Sequence, residues 1–409
     1  MTPARSYDIN PVAFSIPVIA AFIFLAIIRL TNFNFVLSNL VGFETEINEL
    51  GGNAFNFINY AGTALAAVVL FSKLSSLKTR WISLWPFFIL FSIYLVNTLL
   101  APYSNTTWFV YQIIFLTIAI TLHIYAQNCT VDYSRQLRKS LGVIYWLLVA
   151  WVCFALFQIL SQHSLSYFLT EYNDAFVQSL DDFGIMKQRF GYLLGFLLSY
   201  SLFISKSRVT PLVVILILFT GFGIRSFIIG LIGATVIFSL RNPIRLGLLL
   251  VFSFVFYFFF LQSYFDNLVF DTRFYSFLNA YHIIQTFPLG VGLGGYPLYT
   301  EIFHSQLYAN FYNVNAILDF VPTAPESDLV HILGSLGIGL GLLHLFIQGR
   351  LVWYSFAKKN MLRSFEKCIL FYFCFMTFYG ISEDSMFSIN YWIFFGLSSG
   401  IIANVLKRK

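Results

Sequence analysis

The 409-residue chain is 58% hydrophobic and 20% aromatic, led by 50 Phe, and only 10% of its residues are charged. Soluble domains carry roughly 25% charged residues, so an ordinary soluble fold is excluded and the mean hydropathy of +0.77 points to an all-α polytopic membrane protein. The net charge of +6 would suggest nucleic acid in a soluble chain, but here its placement along the chain carries the information.

A hydrocarbon core of about 30 Å takes about 20 apolar residues per helix, so the chain has room for roughly a dozen spans. The polar stretch MTPARSYDIN comes first. The apolar run after it, 11–30, reads as a span, because it is long for a signal peptide and no small-residue cleavage site follows. Further spans are predicted at 55–73, 82–100, 107–125, 141–161, 190–205, 209–222, 224–240, 245–263, 327–348, 367–382 and 386–405. Only Gly221-Phe222-Gly223 separates the seventh from the eighth, so both are expected to tilt or be partly re-entrant. The organisation is then 1–263 with nine spans, a long loop at 264–326, and 327–409 with three more. Cys129, Cys153, Cys368 and Cys374 lack metal-ligand spacing, three of them fall inside apolar runs, and they read as small core hydrophobes.

Alternating these spans places 19 of the 24 basic residues on one side and 15 of the 18 acidic residues on the other or at its membrane surface. The basic side is cytoplasmic by the positive-inside rule, with both termini there. Arg29, Lys187, Arg189, Arg225 and Arg273 break the rule. A cation at the outer end of a helix is either a snorkelling anchor or a ligand for something anionic at the membrane surface. Arg29 simply ends the first span and reads as an anchor, whereas Arg189, Arg225 and Arg273 read as ligands.

The outer loop at 264–326 is long enough to be functional. Within it Phe274, Phe277, Leu278, Tyr281 and Ile284 recur at helical spacing, with Asn279, His282 and Gln285 on other faces. This pattern predicts an amphipathic helix lying over the membrane domain. Next comes Pro288-Leu289-Gly290-Val291-Gly292-Leu293-Gly294-Gly295-Tyr296, where Gly290, Gly292 and Gly295 satisfy G-x-G-x-x-G. A dinucleotide site needs this motif after a strand. Here it follows a helix on the outer side, so it reads as a turn whose backbone closely approaches another element or a ligand. Pro325-Glu326-Ser327-Asp328 opens the tenth span, followed by Gly334, Gly337, Gly339 and Gly341. Such glycines suit close helix packing. Asp328 reads as a helix cap, and Glu326 as either a cap or a general base.

Arg189-Phe190-Gly191, Gly223-Ile224-Arg225-Ser226, Arg273 with Pro288–Gly294, and a polar pair ahead of Leu336-Gly337-Ile338-Gly339 occur in that order. As an ordered set with one long loop, they resemble the O-antigen polymerase and ligase superfamily of bacterial envelopes, over about residues 185–345. The resemblance implies about 12 transmembrane helices in a GT-C-like arrangement with one long periplasmic loop, in the bacterial inner membrane. It implies transfer of glycan from an undecaprenyl-diphosphate carrier without metal or cofactor, with membrane lipids and a chain-length regulator protein as partners and no nucleic acid.

Ligases of the superfamily carry His followed by Asn, Ser or Gln, with Gly eleven positions after the His. Counting back from Gly337 reaches Glu326, followed by Ser327, while His331 stands five positions too late. This departure favours the polymerase, with Glu326 as base and Arg273 and Arg189 neutralising the diphosphate. Arg225, Gly290, Gly292, Tyr296 and His282 are then expected to bind substrate, and Tyr299, Tyr308, Tyr312, Asn310 and Asn313 either offer stacking faces and hydrogen bonds for sugar or simply lie at the surface in water. A ligase acting on lipid A core and a lipid-linked glycan transporter are the alternatives. The transporter predicts two related halves and broken mid-membrane helices, and neither is clear in the sequence.

Overall fold

The computed structural model describes residues 81–129, 131–162, 187–221, 224–239, 272–296, 299, 327–381 and 389–407. Ten α-helices lie among them: α1 Trp85–Leu100, after a 3-10 turn Trp81–Leu84; α2 Thr106–Gln127; α3 Val131–Gln162; α4 Lys187–Phe203; α5 Thr210–Gly221; α6 Arg225–Ser239; α7 Thr272–Thr286; α8 Asp328–Lys358; α9 Ser364–Tyr379; and α10 Ile389–Lys407. Five stretches are long and apolar enough to cross a membrane: Trp81–Leu100, Thr106–Gln127, Arg135–Phe154, Asp328–Met361 and Ile389–Lys407. The described residues are all-α, and their long apolar helices make this a membrane-embedded protein. The predicted spans 11–30, 55–73 and 245–263 lie outside the described residues.

Helix ends fall where local chemistry provides them. Pro86 stands in the first turn of α1, where its missing N–H costs nothing. The Asn105 side chain caps α2 by accepting from the Thr107 amide at 2.9 Å. Glu366 reaches back to the Arg363 amide at 2.9 Å to start α9. The break at Gly221–Gly223 is real, since α5 stops at Gly221 and α6 starts at Arg225.

Two helices outrun the expectation. α3 starts ten residues before the predicted span, because Arg135-Gln136-Leu137-Arg138-Lys139 are good helix formers that continue the helix into water. α8 runs past Gln348 to Lys358 because Arg350 is accommodated rather than expelled. Its guanidinium lies 4.5 Å from the Trp85 ring centroid and donates to the Tyr354 hydroxyl at 3.1 Å.

α9 is the centre of the bundle. Every residue from Cys368 to Met376 is buried, the mark of a helix enclosed on all sides. Its Phe375, Phe378 and Tyr379 fill notches left by Gly191 and Gly195 of α4 and by Gly230 and Gly233 of α6. α10 meets α2 through Gly396 and Gly400, which lie against the backbone of Ala119 and His123. This is the small-xxx-small route to close helix approach in lipid. Cys368 and Cys374 are core residues as expected, whereas Cys153 is exposed: it sits on the outward face of α3, so the reading of it as a core hydrophobe is corrected.

Contacts between distant residues sort the helix ends into two groups. At one end, Lys359 donates to the carbonyls of Ile237 and Phe238 at 3.2 and 3.3 Å, and the Asn404 amide reaches the carbonyls of Ala126 and Cys129 at 3.3 and 2.9 Å. At the other, the Asp328 amide donates to the Gly380 carbonyl at 2.7 Å, and Gly191 abuts Tyr379. The two groups match the alternation deduced from charge.

α7 forms where the spacing predicts a helix, and of its apolar stripe Phe277 and Tyr281 are exposed while Ile284 is half-buried. Asn279, Ala280 and Ile283 face the protein, and Phe277 and Tyr281 of the apolar stripe face out. With Val291, Tyr296, Tyr299 and Val330, Ala280 and Ile283 form a second core separate from that of the bundle.

Candidate functional site

The glycine turn and the tenth predicted span, some forty residues apart in sequence, meet in one joint. α8 breaks its helical geometry at Gly337, with φ 72° and ψ 178°. A break of this kind releases carbonyls from the helical ladder, and each must find another donor. The turn supplies them: the Val291 amide donates to the Gly334 carbonyl and the Gly292 amide to that of Ser335, both at 2.9 Å. Gly290 and Gly292 have φ of 79° and 103°, a region costly for any residue with a Cβ. No Cβ would fit in any case, since one on Gly290 would strike Ser335 and Gly337, and one on Gly292 would strike Ser104.

The α1–α2 connection closes the joint from the other side. The amides of Tyr103 and Asn105 donate to the carbonyls of Val291 and Leu293 at 3.0 and 2.9 Å. Asn97, fully buried on α1, ties all three pieces together. Its Nδ2 donates to the carbonyls of Leu289 and Ser335 at 3.0 and 2.9 Å, and its Oδ1 accepts from the Leu293 amide at 3.1 Å.

The turn therefore approaches a helix rather than exposing its amides to a ligand. The amides of Gly290, Val291, Gly292, Leu293 and Gly295 all donate within the protein. Gly290 and Gly292 contribute to a site through the shape they permit.

Beside this joint, the N-terminal mouth of α8 gathers polar groups. Ser327 is the N-cap residue and its hydroxyl donates to the Ile381 carbonyl at 2.6 Å. Asp328 is the first helical residue, not the cap, which corrects the sequence reading of its role. Its buried carboxylate lies against Gly380, where a Cβ would run into it, and the positive end of the α8 dipole favours a carboxylate there. One turn on, His331 is buried between two aromatics, with ring centroids 6.3 Å from Trp108 and 6.4 Å from Tyr296. Ser335, on the same face another turn deeper, is fully buried and its hydroxyl finds no hydrogen-bond partner among the described residues.

Tyr296 is fully enclosed, packed on Gly334, and so is a wall of the site rather than an open stacking face. Tyr299 is buried beside Tyr103 and Phe287, with ring centroids 6.4 and 6.0 Å away. Burial raises its phenol above the ordinary value, and the nearby Tyr103 adds to the rise. His282 lies half-buried on the flank of α7, next to the exposed ring of Tyr281.

Arg189, Arg225 and Arg273 stand in the first turns of α4, α6 and α7. Gly191, two residues after Arg189, abuts Tyr379, whose neighbour Gly380 holds Asp328. Phe227, two residues after Arg225, packs on Phe375 with centroids 5.4 Å apart. α7 packs on α8. α4 and α6 thus begin near the Asp328 end of α8–α9, whereas α7 meets α8 and the glycine turn through Ala280 and Ile283 in its second half. The side chains of these arginines, and all of Glu326, Tyr308, Tyr312, Asn310 and Asn313, lie outside the described residues.

His331 was legible only as a histidine at the wrong spacing, and Asn97 was not legible at all as part of a site. Among the described residues no group of three or more His, Cys, Asp or Glu is placed to hold a metal ion. Neither a scan against protein-family models nor a search of curated proteins finds a match for this chain.

Proposed function

We propose that this protein is an inverting glycosyltransferase that polymerises undecaprenyl-diphosphate-linked oligosaccharide repeat units into O-antigen or a related surface polysaccharide. In this reading the chain has about twelve spans in a GT-C-like arrangement, sits in the bacterial inner membrane with both termini cytoplasmic, and works at the periplasmic face. The observation that carries the reading is the docking of the Pro288–Gly294 turn into the kink at Gly337, beside the buried Asp328 and His331. Two of the stretches that carry the resemblance, Pro288–Gly294 and Leu336–Gly339, meet there, which supports the reading.

The chemistry follows from charge. Transfer to an acceptor hydroxyl expels a diphosphate, so negative charge develops on the leaving oxygen. Arg189 and Arg273 neutralise it, since guanidinium geometry matches phosphate oxygens, and Arg225 and His282 help hold the donor. Because the amides of the glycine turn are already used, the arginines carry this task. Glu326 takes the proton from the acceptor hydroxyl as it attacks the anomeric carbon.

His331 at the mouth of α8 favours a second reading, the ligase that transfers glycan to lipid A core, because it offers an imidazole close to where the ligases have theirs. One experiment separates the two. Purified protein is incubated with lipid-linked repeat units, with and without lipid A core. A ladder on the lipid carrier is the expected result; transfer to core alone makes the protein a ligase, and no transfer in either tube removes both.

A further inference from the structure

The outward face of α7 presents the large rings of Phe277 and Tyr281, followed at the helix end by the exposed Gln285 and Thr286. Phe277 and Tyr281, one turn apart, are 43% and 58% exposed, while Ala280 and Ile283 on the opposite side are buried against α8 and the glycine turn. Water would favour the reverse arrangement. After the helix the chain runs through Phe287 and Pro288 to Leu289, which is also exposed. The backbone of Leu289 touches Gly337, the residue before Ile338. Ile338 begins the outward stripe Ile338, Leu342 and Phe346 of α8, all exposed at four-residue spacing. The Leu289 carbonyl is held by Asn97 of α1, just before the exposed Leu99 and Leu100. The exposed apolar residues that begin on α7 therefore adjoin the outward faces of two membrane-spanning helices.

We infer that α7 is an interfacial helix, seated in the headgroup–acyl boundary of the leaflet at the Asp328 end of the bundle and binding membrane lipid through Phe277 and Tyr281. At 15 residues and about 1.5 Å per residue, it is too short to cross a core of about 30 Å. Aromatic rings are favoured at this depth, where an apolar body meets hydrated headgroups. The inference needs only the membrane embedding of the chain and is independent of glycan transfer. It fixes the loop that carries the glycine turn at bilayer depth, so a lipid-borne molecule reaches the mouth of α8 by lateral diffusion.

The test uses the full chain in lipid nanodiscs doped with a phospholipid bearing a diazirine near the head of its acyl chain. After irradiation, mass spectrometry is expected to find lipid adducts on the peptide containing Phe277 and Tyr281 as well as on the α8 peptide containing Ile338 and Leu342. Adducts on the α8 peptide without any on α7 overturn the inference. A second measurement places a nitroxide at residue 277 or 281 in a chain with Cys129 and Cys153 changed to Ser. Relaxation by dissolved oxygen should exceed relaxation by a water-soluble nickel complex. The opposite preference means a water-facing helix, and protection from both means a protein partner; either result overturns the inference.

Discussion

Gly290 and Gly337 face each other across the joint between the glycine turn and α8, and neither has room for a Cβ. A carbon added to Gly337 would meet the carbonyl of Pro288 and the backbone of Leu289, and one added to Gly290 would meet Ser335 and Gly337 itself. Both also hold positive φ, at 79° and 72°. Gly290→Ala and Gly337→Ala should each cost about 1–3 kcal/mol from backbone strain alone, with the collision adding to it. Gly339, two residues on, has nothing within 4 Å of a would-be Cβ. Gly339→Ala should be neutral or stabilising by about 0.5–1 kcal/mol. Thermal unfolding in detergent checks the contrast; equal effects at positions 337 and 339 would remove the joint as the explanation.

Asn97 makes three hydrogen bonds, those to the Ser335 carbonyl and the Leu293 amide fully buried. Asn97→Ala leaves the Leu293 amide without its acceptor, at a cost of about 1–3 kcal/mol. Asn97→Asp should be worse, because a carboxylate oxygen then faces the carbonyls of Leu289 and Ser335. Hydrogen exchange at the Leu293 amide, slow in the parent protein, should accelerate in both variants while exchange in α9 stays slow.

The alternation of spans is checked by tags. Reporters at Lys139 and Lys359 should read cytoplasm, and reporters at Asp182 and Asn310 should read periplasm. Lys359 lies at the same end of the bundle as the close of α6, so an inverted result there would break the assignment for two helices at once.

Arg273 stands in the first turn of α7, and the proposed topology puts it on the side of the membrane where the positive-inside bias disfavours it. Arg273→Ala should lower polymer synthesis at least about a hundredfold while folded protein stays in the membrane. Arg273→Lys should recover only part of the activity, because an ammonium replaces a bidentate fork. Full activity in the alanine variant would leave Arg273 an anchor.

Glu326→Gln separates a base from a helix cap. The amide keeps the length and a hydrogen-bonding oxygen but cannot take a proton, so synthesis should fall about 10²–10⁴-fold while lipid-linked substrate still binds. Ser327 already occupies the N-cap position of α8, so no stability loss beyond about 1 kcal/mol is expected. Glu326→His should retain some activity. A base works when deprotonated, and histidine titrates about two units above glutamate, so the acidic limb of its pH profile should move upward by about that much. Normal synthesis by Glu326→Gln would sink the catalytic assignment.

Helical spacing located α7 and a Gly-Phe-Gly stretch the break between α5 and α6, while hydropathy and charge located the apolar helices and sorted which of their ends share a side. These are properties of transfer from water to lipid, and such transfer acts on each segment separately. Helix lengths were legible only in part: the polar Gln348 and Arg350 looked like the end of a span until Trp85 and Tyr354 were seen to receive the guanidinium. The direction in which α7 turns its apolar stripe was not legible, because beside a bilayer an apolar face can be satisfied by protein or by lipid. Only packing against Val330 and Tyr296 chose the other side for the protein. The role of the glycine turn was likewise decided by tertiary structure. Its spacing permits close approach to any backbone or ligand, and it took the kink at Gly337, with the carbonyls released there, to say which partner the amides have. Asn97 and His331 became part of the site for the same reason: a hydrogen bond or ring contact across the fold leaves no periodicity behind in the chain.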